Sequence, residues 1–318
     1  MIKKEIKTNK IYYLFFSFIA IACLLLLVGT FFDWQISEKI VTFPQEKSFG
    51  TLASFSAGPI YTIIVSTFCM NIIFFQPFSF KNKTKKALYY FFASLICLTI
   101  IWHEFDISLV SEIKYTFFTN DEFLAKKWVL LLWSLLGVVV FVGCYVTVFL
   151  LLKNKGNKKN VWNYSLYALI TLAILLAVID TTKHNIQRER FFSIYLNHNN
   201  DKQYFKNWYS LFWDYSGTTS FAYQSFPSGH TNWACSLLVL IPLFYFQIKN
   251  KAIKIIAISL VYLFILLIMF SRVQGGYHYV SDVAMSLLIC SIGNLCSHFI
   301  FSKLKNNVSS NLINSKLQ

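Results

Sequence analysis

The sequence predicts an all-α fold, a polytopic transmembrane helix bundle of about eight spans, and three observations predict it. Of the 318 residues 56% are hydrophobic and 19% aromatic, while only 14% are charged. So few charges cannot cover a soluble domain, and so apolar a chain is neither disordered nor a nucleic-acid binder, even at a net charge of +15. The apolar residues gather into runs close to the roughly 20 residues that cross about 30 Å of hydrocarbon. The basic residues are crowded into alternate connecting segments, the charge asymmetry that orients membrane helices.

In chain order the spans are predicted at 11–32, 56–78, 87–103, 128–152, 161–180, 228–248, 252–271 and 279–301. The first follows Lys3, Lys4, Lys7 and Lys10, as a signal peptide would, but its apolar run is too long and no small-residue cleavage site follows; it reads as a retained anchor. The span at 87–103 is the shortest. The sixth rests on the apolar run Trp233–Phe246, too short to cross alone, and gains its missing turn if the helix starts at Ser228 with Pro227 as a stop before it. Gly275 and Gly276 allow a tight turn between the last two spans. The chain thus divides into a four-span region 1–160 without a chemical motif, a region 161–301 that holds the chemistry-bearing residues, and a polar tail 302–318.

Eight spans bring both termini to one side, together with 79–86, 153–160 and 249–254. These five segments hold 18 of the 29 basic residues and a single acid, Glu5, so the termini are expected in the cytoplasm and the protein in the plasma membrane. All seven cysteines, Cys23, Cys69, Cys97, Cys144, Cys235, Cys290 and Cys296, fall inside spans without CxxC or zinc spacing, and read as small core residues. On the opposite side, Tyr204, Phe205, Trp208, Tyr209, Phe212 and Trp213 recur on one helical face. That stripe predicts a helix lying in the headgroup layer, the alternative being a loop packed on the protein's own surface.

Three constellations on the extracytoplasmic side stand apart from this background. Lys183, Arg188 and Arg190 follow the fifth span directly. Phe226-Pro227-Ser228-Gly229-His230-Thr231 opens the sixth, where Ser228 can cap a helix whose first turn presents backbone amides to an anion beside His230. Ser271-Arg272, His278 and Asp282 bridge the last two spans; His278 and Asp282 are four apart on one helical face, so the carboxylate can hold one imidazole nitrogen and leave the other as a lone pair. Together these residues offer cations, amides and two histidines, an inventory that fits a phosphate. A metal site, the competing use of two His and an Asp, is disfavoured by the crowd of cations, so no metal or other cofactor is expected.

Lys183-x6-Arg190, Pro227-Ser228-Gly229-His230 and Ser271-Arg272-x5-His278-x3-Asp282 resemble the three signature motifs of the type 2 phosphatidic acid phosphatases, a family that shares its site with vanadium haloperoxidases. The resemblance covers 183–282, and Phe191 stands where that family usually has proline. It implies that His278 attacks phosphorus to give a phosphohistidine, that Asp282 orients it and that His230 protonates the leaving oxygen. Lys183, Arg190 and Arg272, with Ser228 and Gly229, would hold the phosphoryl oxygens. Because every one of these residues lies near the end of a span, the expected substrate is a lipid phosphate or diphosphate, such as phosphatidic acid, phosphatidylglycerol phosphate or a polyprenyl diphosphate. A phosphotransferase with the same intermediate, or a non-catalytic lipid-binding or transport protein, are the alternatives.

Overall fold

The computed structural model describes residues 2–41, 56–75, 80, 82–105, 158–213 and 221–314. Among them the secondary structure is helical, without a β-strand: α1 (Ile2–Ile40), α2 (Ala57–Phe74), α3 (Lys83–Phe105), α4 (Lys158–Asn185), α5 (Phe191–Asn197), α6 (Gly229–Cys235), α7 (Ile241–Gln247), α8 (Lys251–Gln274) and α9 (Val280–Asn314), with short 3₁₀ turns between. Four stretches are long and apolar enough to cross a membrane: Lys10–Ile40, Asn160–Asn185, Lys251–Gln274 and Val280–Lys303. They coincide with the first, fifth, seventh and eighth predicted spans. The second falls on the shorter apolar helix Ala57–Ile73 and the third on α3. The fourth, 128–152, with Cys144, lies outside the described residues; the six cysteines within them are thiols.

The sixth span is a broken rod. Ser228 caps α6, as its sequence suggests, but Ser236–Leu240 tightens into a 3₁₀ turn before α7 begins. Pro242, in the first turn of α7, has no amide to give to a preceding carbonyl, which accounts for the break just ahead of it.

The central packing runs along α1, α8 and α9. Ile11, Phe15, Phe18 and Ala22 of α1 bury against Ile265 and Ile268 of α8 and Val283, Leu287 and Cys290 of α9. Outward, Leu24, Leu27, Leu260 and Leu263 are more than half exposed, apolar surface suited to lipid and not to water. A second cluster joins Tyr61, Val65 and Phe68 of α2 to Ala168 and Leu172 of α4 and to Val239. Gly29 sets the approach of α1 to the start of α9: a Cβ there would lie 2.7 Å from the Ser281 amide nitrogen and 2.9 Å from the Ser281 Cβ. No other residue leaves that space.

The aromatic stripe is not one α-helix. Lys202–Tyr204 and Trp208–Trp213 are separate 3₁₀ turns, the first capped by Asp201. Phe205 packs on Trp34 and Tyr279, while Trp208 stacks on Phe226 and donates to the Thr30 hydroxyl at 3.0 Å. These two rings are turned into the protein, so the segment corresponds to the alternative of a loop packed on its own surface. Residues four apart in sequence share a face only in an α-helix, and the tighter 3₁₀ winding separates them.

Candidate active site

The last turn of α4, the end of α8 and the first turns of α6 and α9 meet at one end of the bundle. Lys183 ends α4 with its Nζ beside Gly229: a Cβ on that glycine would stand 3.2 Å from it. The chain then runs extended alongside 222–225, with the Arg190 amide donating to Ala222 O at 2.9 Å and the Ser225 amide to Arg188 O at 3.0 Å. Arg190, itself extended, caps α5, and Phe191 takes the first helical position. Proline suits that position and the extended residue before it, so phenylalanine leaves the backbone route intact. Its buried ring packs instead on Trp34 of α1 at 5.2 Å and on Tyr279 at 6.4 Å.

Ser228 is fully buried. Its hydroxyl accepts from the Thr231 amide at 3.4 Å and the Thr231 hydroxyl at 3.0 Å, and its own amide donates to Asp282 O at 3.3 Å. Ser228 thus caps α6 and ties its start to α9. The next backbone groups, at Gly229 and His230, continue the first turn of α6 beside Lys183. The His230 ring packs on Trp233 with 4.8 Å between centroids.

Gly276 adopts φ 69°, and the turn it makes after α8 returns the His278 amide to Arg272 O at 3.2 Å. Between them Tyr277 lies under two guanidinium groups, Arg272 at 4.3 Å and Arg190 at 5.9 Å from its ring centre. His278 is 1% exposed, and its Nδ1 is 2.6 Å from the Ser225 carbonyl oxygen. A carbonyl only accepts, so Nδ1 carries the proton and Nε2 the lone pair. Burial, first, pushes the His278 imidazole well below its ordinary range; the nearby Asp282 pulls the other way, and the charges of Arg272, Arg190 and Lys183 add to the depression. The imidazole is thus neutral at pH 7 and within reach of three cations.

Asp282 does not hold His278 directly. Its Oδ2 is 3.8 Å from Nδ1, too long for a hydrogen bond, and accepts instead from the Ser225 hydroxyl and from the Tyr279 amide at 2.8 Å. Ser225 is the common partner: its carbonyl accepts from the imidazole Nδ1–H and its hydroxyl donates to the carboxylate. Asp282 Oδ1 accepts from Arg188 Nη1 at 2.5 Å. Arg188 is buried, donates through Nη2 to Asp33 Oδ2 at 3.0 Å and through Nε to Lys206 O at 2.9 Å, and lies 4.1 Å over the Tyr279 ring. Burial would lower its pKa, but the charges of Asp282 and Asp33 outweigh that and hold it above its ordinary value.

Among the described residues no group of three His, Cys, Asp or Glu side chains is placed to hold a metal ion. What the geometry assembles is a buried neutral histidine with one ring nitrogen fixed, in reach of Lys183, Arg190 and Arg272. Residues 161–305 match the family model of the PAP2 superfamily. This segment is similar to the PAP2 superfamily. No curated protein and no solved structure matches the chain. Members of the PAP2 superfamily are phosphatases, which supports a phosphoric ester hydrolase, and the apolar helices support its integration in a membrane.

The PAP2 segment contains all eight residues singled out from sequence, Lys183, Arg190, Ser228, Gly229, His230, Arg272, His278 and Asp282, and the fold gathers them at one end. Sequence reasoning passed over Ser225, which acts partly through its backbone carbonyl, and Asp33, which lies in α1 outside the matched segment. Arg188 was visible as one of three cations but its use was not. A buried-looking acid at the end of an apolar run, such as Asp33, is the signal that could have found its partner.

Proposed function

We propose that the protein hydrolyses a lipid phosphate or lipid diphosphate at the extracytoplasmic face of the plasma membrane, through a phosphohistidine on His278. The observation that carries this reading is the 2.6 Å contact of His278 Nδ1 with the Ser225 carbonyl in a site holding three cations. With Nδ1 protonated and the imidazole neutral, Nε2 can attack phosphorus. As the N–P bond forms and the P–O bond breaks, positive charge grows on the ring, and the Ser225 carbonyl and the Asp282 carboxylate behind it stabilise that charge. His230, in its protonated form, gives its proton to the leaving alkoxide or phosphate oxygen. It then takes a proton from the water that cleaves the N–P bond, returning both histidines to their starting state.

Lys183, Arg190, Arg272 and the Gly229 amide are suited to the phosphoryl oxygens, where charge is greatest in the transition state. Ser228 supports this cradle as the cap of α6. The lipid reading rests on depth: Lys183 and Arg272 lie at the ends of stretches apolar enough to cross a membrane, and His278 and Asp282 at the start of another. A phosphate on a lipid headgroup is presented at that level.

The test is phosphate release from a panel of lipid phosphates and diphosphates, set against water-soluble esters, with EDTA present. Release from the lipids with little from the soluble esters is expected. Equal cleavage of soluble esters would remove the lipid part of the proposal, and loss of activity in EDTA would remove its independence of metal.

A further inference from the structure

We propose that Asp33 of α1, outside the PAP2 segment, is a positioning residue for His278, acting through Arg188, Asp282 and Ser225; this rests on the phosphohistidine reading above. Asp33 is 2% exposed at the end of an apolar stretch, where an acid is costly unless fully partnered. Its Oδ1 accepts from the Ser281 amide at 2.9 Å, and its Oδ2 from Arg188 Nη2 at 3.0 Å and from the Ser281 hydroxyl. One carboxylate thus caps the first turn of α9 from another helix and anchors the arginine that grips Asp282.

Four hydrogen-bonded links lead from Asp33 to the nucleophile: Asp33 to Arg188, Arg188 to Asp282, Asp282 to the Ser225 hydroxyl, and the Ser225 carbonyl to His278 Nδ1. Arg188 stands between two carboxylates, so its charge is divided. Without the Asp33 charge the whole of it would fall on Asp282, and the carboxylate would support less of the positive charge that grows on His278 during attack. Asp33 bonds to Arg188 and Ser281, behind His278 and away from the proposed phosphate cradle, so substrate affinity should change little. Several neighbours hold α1 in place for this purpose: Gly29 admits Ser281, Thr30 accepts from Trp208, and Trp34 packs on Phe191 and Phe205.

The test uses the full chain in detergent micelles, with phosphatidic acid as one substrate of the lipid panel, and compares the wild type with Asp33→Asn, Ser281→Ala and His278→Ala. Asp33→Asn keeps an acceptor for the Ser281 amide while removing the charge and the oxygen that accepts from Arg188 and the Ser281 hydroxyl. The expected result is a fall in kcat of about tenfold or more with KM within about threefold, and a further downward shift of the His278 titration seen by ring-nitrogen NMR. Ser281→Ala removes the hydroxyl that accepts from Arg188 Nη1 at 2.7 Å and donates to Asp33 but leaves all three charges in place, so kcat should fall less than in Asp33→Asn; an equal or larger fall would overturn the role of the Asp33 charge. Should Asp33→Asn fail to fold with Arg188 short of a partner, Asp33→Asn/Arg188→Gln removes both charges and is expected to fold, with kcat still reduced because Asp282 then also loses the guanidinium that holds it in place. Wild-type kcat in either folded variant overturns the role of Asp33 and leaves the phosphatase reading standing. A wild type that releases phosphate from no substrate overturns both.

Discussion

His278 and Asp282 share Ser225 in place of a direct hydrogen bond: the Ser225 carbonyl is 2.6 Å from His278 Nδ1, and the Ser225 hydroxyl donates to Asp282. Replacing Ser225 by alanine removes the hydroxyl and keeps the carbonyl. Ser225→Ala is expected to lower kcat by about tenfold, the value of one buried hydrogen bond to a charged group, whereas Asp282→Asn should cost on the order of a hundredfold or more. Steady-state kinetics of the two variants checks this order; equal losses would mean that the carboxylate acts without its serine.

The titration of His278 has a predictable sign. Its pKa lies well below the ordinary 6.5, chiefly because the ring is buried. As pH falls, the unfolded chain therefore takes up the proton first. The stability associated with neutral His278 is intact above pH 6.5 and is lost progressively below it, down to the depressed pKa of the folded state. Ring-nitrogen NMR of the protein without substrate should find His278 neutral, protonated on Nδ1, at pH 6. A midpoint at 6.5 or above would contradict the burial and the surrounding positive charge.

Gly229→Ala tests the cradle. Its Cβ would stand 3.2 Å from Lys183 Nζ, the far end of a flexible side chain, so the fold can yield by a few tenths of an ångström. The thermal midpoint should barely move. Activity should fall by roughly tenfold or more, with KM rising, because the methyl intrudes between the first-turn amide and the lysine. Unchanged kinetics would mean that phosphate does not bind there.

Gly29→Ala is expected to do the reverse. Here the added Cβ meets the Ser281 backbone at 2.7 Å, which cannot swing aside. Overpacking of this kind costs about 1–3 kcal/mol, so the variant should unfold at lower temperature in detergent. A thermal midpoint equal to wild type would show that α1 does not approach α9 so closely.

Much of this site was legible because its parts are local. Lys183 with Arg190, Ser228 to His230, and Arg272 to Asp282 each fall within ten residues at the end of an apolar run, and Ser228 caps its helix as the sequence suggests. The pairing of Asp33 with Arg188, 155 positions apart, was not legible, since it depends on how α1 lies against α9. The acceptor for His278 is a backbone carbonyl, which has no side-chain signature. The aromatic stripe misled for a third reason: its spacing fits an α-helical face, but the chain there is two separate 3₁₀ turns, with Phe205, between them, and Trp208 packed half-buried against α1 and the site.

The most direct test of the central claim is to trap the intermediate. Wild-type protein incubated briefly with a ³²P-labelled lipid phosphate and quenched in base should carry label that is stable to alkali and labile to acid, on a peptide containing His278. His278→Ala should carry none and should lose nearly all turnover. Turnover near wild type in that variant, or label on another residue, would contradict the account.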